Sequence, residues 1–139
     1  CPIGGVLAGS ADFIEQAWRF KQQMGGAMRQ AGIVAAAGVY ALENNVARLA
    51  EDHENARSFS RDIAQIPGIK LIFDRCETNR VFFDVSETGL DAATVEQRLK
   101  ARDVRIGAMG PYRMRAVTHL DIDAEQLSEA ASVLREVVA

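Results

Sequence analysis

The chain has 139 residues, of which 48% are hydrophobic and 25% are charged, and its formal net charge is −3. This composition is typical of a folded globular domain and excludes collagen-like, disordered and disulfide-rich proteins. The sequence has no basic block that could neutralise nucleic-acid phosphates, and no apolar run approaches the ~20 residues that cross a bilayer. Cys1 and Cys76 lack metal-ligand spacing, so we expect reduced, inert thiols and a cytoplasmic location.

The first 66 residues predict one buried strand followed by three helices. The apolar segment 3–8 has strand character, and Ser10 or Asp12 can cap the helix that follows. A second helix, 28–42, is apolar on nearly all sides, whereas a third, 46–66, is amphipathic and ends at a Pro-Gly pair. A lone strand and an apolar helix both need partners, so we expect material outside this chain to bury them.

The second half of the chain predicts the element order ββαββα. The expected strands are 70–73, 80–85, 104–106 and 114–120, and the expected helices start at the N-cap residues Asp91 and Asp123. This order predicts a small α+β layer in which two helices cover one face of an antiparallel sheet.

Two groups of residues could bind an anion. The Gly25-Gly26 pair precedes a helix that carries Arg29 near its start, and free N–H groups at a helix start can bind phosphate. Strand alternation places Arg113 and Arg115 on one face, where a guanidinium could bind a carboxylate through two bonds. A simple interhelical turn and a solvent-exposed charged face explain the same residues, and composition does not choose between these interpretations.

Several motifs follow one another in a family-like order along the whole chain. The runs are Cys1–Ser10, Phe13–Glu15, Met24–Gly32, Ala35–Gly38, Tyr40–Leu42, Arg48–Arg57, Thr78–Asn79 and Arg115–Asp121. The most specific are Met-Gly-Gly-x-Met-Arg-Gln-Ala-Gly and Glu-Asp-His-x-Asn-Ala. Together these runs resemble the low-specificity L-threonine aldolases.

The resemblance implies the α/β pyridoxal-phosphate (PLP)-dependent transferase-like fold, known as fold type I. In it a large domain carries pyridoxal 5'-phosphate and a small α+β domain follows. Residues 1–45 would then be the C-terminal end of the large PLP-binding domain, 46–66 a connector helix, and 67–139 the small C-terminal α+β domain. The resemblance also implies a cytoplasmic homotetramer, a dimer of dimers, with active sites at a subunit interface.

The reaction implied by the resemblance is the retro-aldol cleavage of L-threonine or L-allo-threonine to glycine and acetaldehyde. In the family the Schiff-base lysine lies in a Ser-Lys-Gly-Leu segment, which would fall shortly upstream of Cys1. Lys21, Lys70 and Lys100 lack that context, so we expect no catalytic residue in this chain and no aldolase activity from it alone. A cofactor-dependent visible absorbance band, lost when borohydride modifies a unique lysine, would contradict this expectation.

The resemblance gives two residues of this chain a binding role. Arg115 would bind the substrate α-carboxylate, with Arg113 or a structural role as the alternative. Arg29 would bind the cofactor phosphate, in the site of the neighbouring subunit, with a structural ion pair as the alternative. For His119 we favour a hydrogen bond to the backbone. For His53 we favour packing or capping on its helix, and for Asn79 a role in a turn.

Two other functions stay open at this point. The first is a related β-hydroxy-amino-acid or β-eliminating lyase of the same fold, such as a phenylserine aldolase, because most of the side-chain pocket lies upstream. The second is a non-enzymatic α+β assembly module, which an unpaired first strand argues against.

Overall fold

The computed structural model of the protein describes residues 3–139, and the chain divides into two compact units, Cys1–Ala47 and Arg48–Ala139. We call them the N-terminal unit and the C-terminal unit. The helix expected as a connector, 46–66, is observed as Leu49–Ile63 and belongs to the C-terminal unit. The assignment of residues 1–45 to a larger domain stays a prediction.

The N-terminal unit contains the two helices α1, Ala11–Gln23, and α2, Gly32–Asn44. Ser10 caps α1, because its Oγ accepts a hydrogen bond from the Phe13 N–H at 3.4 Å. The predicted strand at 3–8 is wrong, since no residue of 3–8 is in a strand and Val6 is 96% exposed. A strand needs hydrogen bonds from a neighbouring strand, and residues 3–47 contain no strand that could supply them.

The helix α2 begins at Gly32 instead of the predicted residue 28, because residues 29–31 form a turn ahead of it. Neither α1 nor α2 has a fully buried residue. Ile33 is 80% exposed and Leu42 is 71% exposed. We predicted that material outside the chain buries this apolar helix, and that stays a prediction. Ile33 and Leu42 are among the side chains that such material would cover.

The C-terminal unit contains a four-stranded sheet and three helices. Its elements are α3 (Leu49–Ile63), β1 (Lys70–Leu71), β2 (Arg80–Asp84), α4 (Ala92–Lys100), β3 (Gly107–Ala108), β4 (Arg113–Val117) and α5 (Ala124–Val138). The strands pair antiparallel in the order β1-β2-β4-β3. The predicted order ββαββα, from β1 to α5, is therefore confirmed. The helix α3 precedes it as an additional element, and it packs on both β2 and α5.

The predicted strand at 104–106 is wrong, because pairing begins only at Gly107. The N–H groups of Arg102 and Val104 both donate to the Leu99 carbonyl, at 2.9 and 3.0 Å, which ties this segment to the end of α4. Asp103 between them has a left-handed φ of 59°, a conformation that aspartate tolerates better than most residues. The chain therefore leaves the helix in a closed turn before it can join the sheet.

The sheet has one buried face and one open face. Val81 and Phe83 of β2 and Met114 and Ala116 of β4 are buried under all three helices, which form one core with these strands. Alternate residues point the other way, as the period of two predicts. We call that other side the open face; it carries Arg80, Phe82, Asp84, Arg113, Arg115 and Val117.

The starts of α4 and α5 are those predicted from their caps. Asp91 accepts a hydrogen bond from the Thr94 N–H at 2.7 Å. Asp123 accepts from the Gln126 N–H at 2.9 Å while the Gln126 side chain accepts from the Asp123 N–H at 3.0 Å. This reciprocal capping box satisfies two N–H groups that a helix start would otherwise leave unbonded.

Asp84 on the open face makes stability depend on pH. The Ser86 hydroxyl and N–H both donate to its carboxylate, and with smaller contributions from Lys70 and Arg113 they lower the Asp84 pKa. Because the Asp84 pKa is lower in the folded state than in the unfolded state, the carboxylate stabilises the fold at pH values above the ordinary aspartate pKa. This contribution is lost as the pH falls through the pKa of the folded state. We expect Asp84→Asn to lose less stability than the unmodified chain on acidification.

Thermal unfolding followed by circular dichroism, from neutral pH down through the aspartate range, measures this difference. Asp62→Asn is the matched control, because the Asp62 carboxylate has no hydrogen-bond partner among residues 3–139. Parallel acid curves for the unmodified chain and Asp84→Asn would contradict the prediction.

Candidate active site

Arg115 lies in the middle of β4 on the open face, and its side chain is exposed. Its cross-strand neighbours are Phe82 of β2 and Gly107 of β3. Because Gly107 has no side chain, the guanidinium has room on that side. Among residues 3–139 no carboxylate pairs with it, so its hydrogen-bond donors stay available for an anion.

Arg113 lies on the same face but has a different environment. Its cross-strand neighbour is Asp84, which in turn lies opposite Lys70 of β1. The side chain of Lys70 is already paired with Glu87, and that hydrogen bond raises the Lys70 pKa. Arg113 therefore has a carboxylate beside it, and Arg115 is the better candidate for binding a carboxylate ligand.

Thr118 follows β4 directly and is only 1% exposed. Its N–H donates to the Asn79 carbonyl at 2.9 Å, and its own carbonyl accepts from the Asn79 side-chain amide at 2.8 Å. Its hydroxyl donates to the backbone carbonyl of Asp52 in α3 at 2.6 Å. We call Asn79, Thr118 and Asp52 the β4-exit network.

Asp52 is 3% exposed, and its carboxylate is fully paired. Arg48, one helical turn earlier, donates to both carboxylate oxygens at 2.9 and 3.0 Å. This bidentate hydrogen bond is the main reason that the pKa of Arg48 is raised above its ordinary value. A buried charge is tolerated when it is paired in this way, so the pair holds the start of α3 in one arrangement.

The two motifs Glu-Asp-His-x-Asn-Ala and Thr-His-Leu-Asp therefore meet in the folded chain. In addition to the Thr118–Asp52 bond, the Asn55 side-chain amide donates to the Ile122 carbonyl at 3.5 Å. His119 Nδ1 accepts from the Asp121 N–H at 3.3 Å, which is the kind of backbone bond expected of it. His53 is half-buried on α3.

Thr118 and Asp52 were not singled out from the sequence. Asp52 lies four residues after Arg48 on a helix, which is a recognisable pairing distance, but that pattern usually marks an exposed ion pair. Asn79, for which a turn role was expected, lies directly before β2, and its bonds to Thr118 join it to the end of the strand that carries Arg115.

Arg29 lies in the N-terminal unit, in the turn that precedes α2, and it is exposed. No side chain caps the start of α2, and its first turn contains no acidic residue. Among the described residues, no carboxylate pairs with Arg29. An unpaired cation beside an uncapped helix start has the charge and the N–H donors that a phosphate group requires.

Among the described residues, no three His, Cys, Asp or Glu side chains are placed to hold a metal ion. Lys21 lies over the Trp18 ring at 4.4 Å, and burial raises the pKa of the Cys76 thiol. Cys1 lies outside the described residues.

None of the helices within residues 3–139 is long and apolar enough to cross a membrane.

A sequence model of the family described as beta-eliminating lyase matches residues 1–88, more than half of the chain. The chain belongs to the beta-eliminating lyase family. Within the curated proteins it is 44% identical to the low specificity L-threonine aldolase of Escherichia coli K12, over 99% of this chain and 39% of that protein. It is 30% identical to low-specificity L-threonine aldolase 1 of Arabidopsis thaliana, over 99% of this chain and 38% of that protein.

These similarities confirm the resemblance that the motifs indicated. The chain spans about two fifths of the length of both relatives, 39% and 38%.

Solved structures show the same fold. A complex of the cystine C–S lyase C-DES with its reaction product, cysteine persulfide, matches with a TM-score of 0.65 and 18% identity, over 76% of this chain and 28% of that one. MppP soaked with 2-ketoarginine matches with a TM-score of 0.56 and 18% identity, over 70% of this chain and 30% of that one. The expected α/β fold, fold type I, is confirmed for this member of the beta-eliminating lyase family.

Proposed function

We propose that this chain is the C-terminal part of a PLP-dependent aldolase that cleaves L-threonine and L-allo-threonine to glycine and acetaldehyde. The observation that carries the proposal is the 44% identity to the E. coli low specificity L-threonine aldolase over 99% of the chain. The unpaired guanidinium of Arg115 on the open face of the sheet is the structural feature that supports it.

Arg115 binds the α-carboxylate of the amino-acid substrate in this proposal. A planar guanidinium matches a carboxylate through two parallel N–H···O bonds, which fix direction as well as position. Holding the carboxylate sets the orientation of the bonds around Cα, and correct orientation is a large part of the rate of a cleavage reaction. The exposed position of Arg115 on the open face leaves both donor edges accessible.

Arg29 binds the phosphate of pyridoxal 5'-phosphate in this proposal. The fit rests on its unpaired charge and on the uncapped start of α2, whose first turn has no acidic residue to repel a dianion. A structural neighbour, a C-DES mutant with glycine covalently linked to its PLP cofactor, shares the fold of this chain with a TM-score of 0.64. When bound, the cofactor supplies the electron sink for cleavage of the Cα–Cβ bond.

We further propose a cytoplasmic homo-oligomer, a dimer of dimers, in which Arg29 serves the neighbouring subunit's site. Exposed apolar side chains of α1 and α2 support an extensive interface, since Trp18 is 56%, Tyr40 63% and Leu42 71% exposed. Light scattering of the full-length enzyme at several concentrations measures the assembly, and a monomer throughout would contradict it.

The experiment that tests the proposed activity supplies the full-length enzyme with PLP and L-threonine and measures acetaldehyde and glycine. We expect both products in equal amounts. Phenylserine and cystine serve as the alternative substrates of the related lyases. A higher kcat/KM for phenylserine, or pyruvate released from cystine without cleavage of L-threonine, would replace the proposal with the corresponding lyase.

A further inference from the structure

We propose that the β4-exit network positions Arg115 for the carboxylate of its ligand, with Thr118 as its central positioning residue. This inference rests on the proposed function, because it assigns the network to the same carboxylate-binding site. The network does not touch the ligand itself; it determines where the strand that carries Arg115 ends and how it is held.

The strand β4 is supported unequally along its length. The β3 strand pairs only with Met114 and Arg115, so within residues 3–139 the ladder on that side stops at Arg115 itself. From Ala116 onward β4 is paired only on the β2 side. The segment directly after Arg115 therefore needs another support if the arginine is to be held in one place.

Thr118 supplies this support with its backbone N–H, its backbone carbonyl and its hydroxyl. Its N–H and carbonyl extend the β2 pairing one residue beyond Val117 through Asn79, at 2.9 and 2.8 Å. Its hydroxyl crosses to the Asp52 carbonyl in α3 at 2.6 Å. Three bonds to two different elements therefore fix a residue that lies three positions after Arg115.

The other end of the network, at Asp52, is held by an ion pair. Asp52 is buried in α3, and Arg48 holds its carboxylate through both oxygens. The hydroxyl of Thr118 therefore bonds to a carbonyl whose own position is determined by a paired, buried charge. A misplacement of ~1 Å can lower a rate by about 100-fold when the displaced group binds the reacting molecule.

The test uses the full-length enzyme with PLP and compares Thr118→Val with Thr118→Ser. Valine keeps the shape and replaces the hydroxyl with a methyl group. The Asp52 carbonyl still has its hydrogen bond within α3, because it lies inside that helix. Serine keeps the hydroxyl. Ser60→Ala is the matched control, since Ser60 is a buried residue of the same helix whose hydroxyl donates to a helix carbonyl, that of Arg57 at 2.8 Å, with no link to β4.

We expect Thr118→Val to raise the Kd for glycine and lower kcat/KM for L-threonine by about 5- to 20-fold, while the Kd for PLP stays within about twofold. Thr118→Ser and Ser60→Ala should both stay within about twofold of the unmodified enzyme in all three measurements. Unchanged glycine affinity in Thr118→Val, or an equal loss in Ser60→Ala, would overturn the proposal.

A double-mutant cycle with Arg115→Lys then identifies the route of the effect. If Thr118 acts through Arg115, Thr118→Val should change glycine affinity by less than about twofold once Arg115 is already lysine. Independent effects that multiply would overturn the positioning role while leaving the proposed function intact. An Arg115→Lys enzyme with unchanged glycine affinity would instead overturn the carboxylate-binding role of Arg115, and with it this inference.

Discussion

The substitution Arg115→Lys is expected to lower kcat/KM for L-threonine by about 10- to 150-fold in the full-length enzyme. A point ammonium cannot reproduce two parallel N–H···O bonds, and a hydrogen bond to a charged group is worth roughly 1.5–3 kcal/mol. Each ~1.4 kcal/mol of lost transition-state stabilisation is a factor of ten in rate. Steady-state kinetics with L-threonine measure the loss, and the Kd for PLP should stay unchanged.

Arg113→Lys is the matched control for this substitution. Arg113 lies on the same strand and the same open face, two residues away, with Asp84 as its cross-strand neighbour. A lysine there keeps the charge beside that carboxylate, so kcat/KM should fall by no more than about threefold. If Arg113→Lys abolished activity and Arg115→Lys did not, the carboxylate-binding arginine would be Arg113.

The substitution Phe83→Ala is expected to lower the free energy of unfolding by about 3–5 kcal/mol. Phe83 is 0% exposed and lies opposite Met114, itself 0% exposed, on the buried face of the β2–β4 pairing. Truncation there removes buried contacts and leaves a cavity that the surrounding strands and helices cannot fill completely. Urea unfolding of the 139-residue chain, followed by circular dichroism, measures the change.

Phe82→Ala tests the same strand on the opposite face. Phe82 is half-buried, and its ring makes one edge-to-face contact with Phe73, at 5.6 Å between ring centroids. The loss should be about 1 kcal/mol, because such a pair is worth ~0.5–1.5 kcal/mol and leaves no enclosed cavity. Equal losses at both positions would show that the helices do not cover the face that carries Phe83.

The sequence by itself determined the elements whose signals are local. Ser10, Asp91 and Asp123 lie at helix starts because their side chains bond to N–H groups only three residues away. Strand alternation is equally local, and it correctly placed Arg115 on the face opposite Met114. The order ββαββα followed from these signals without knowledge of how the elements pack.

Only the tertiary structure decided which extended segments pair and what holds Arg115. Segment 3–8 has the apolar character of a strand, but strand formation depends on a partner and not on character alone. The bonds from Thr118 join it to Asn79, 39 residues away, and to Asp52, 66 residues away. Periodicity and capping carry no information about such distances, because bonds of this kind form only where packing brings separate elements together.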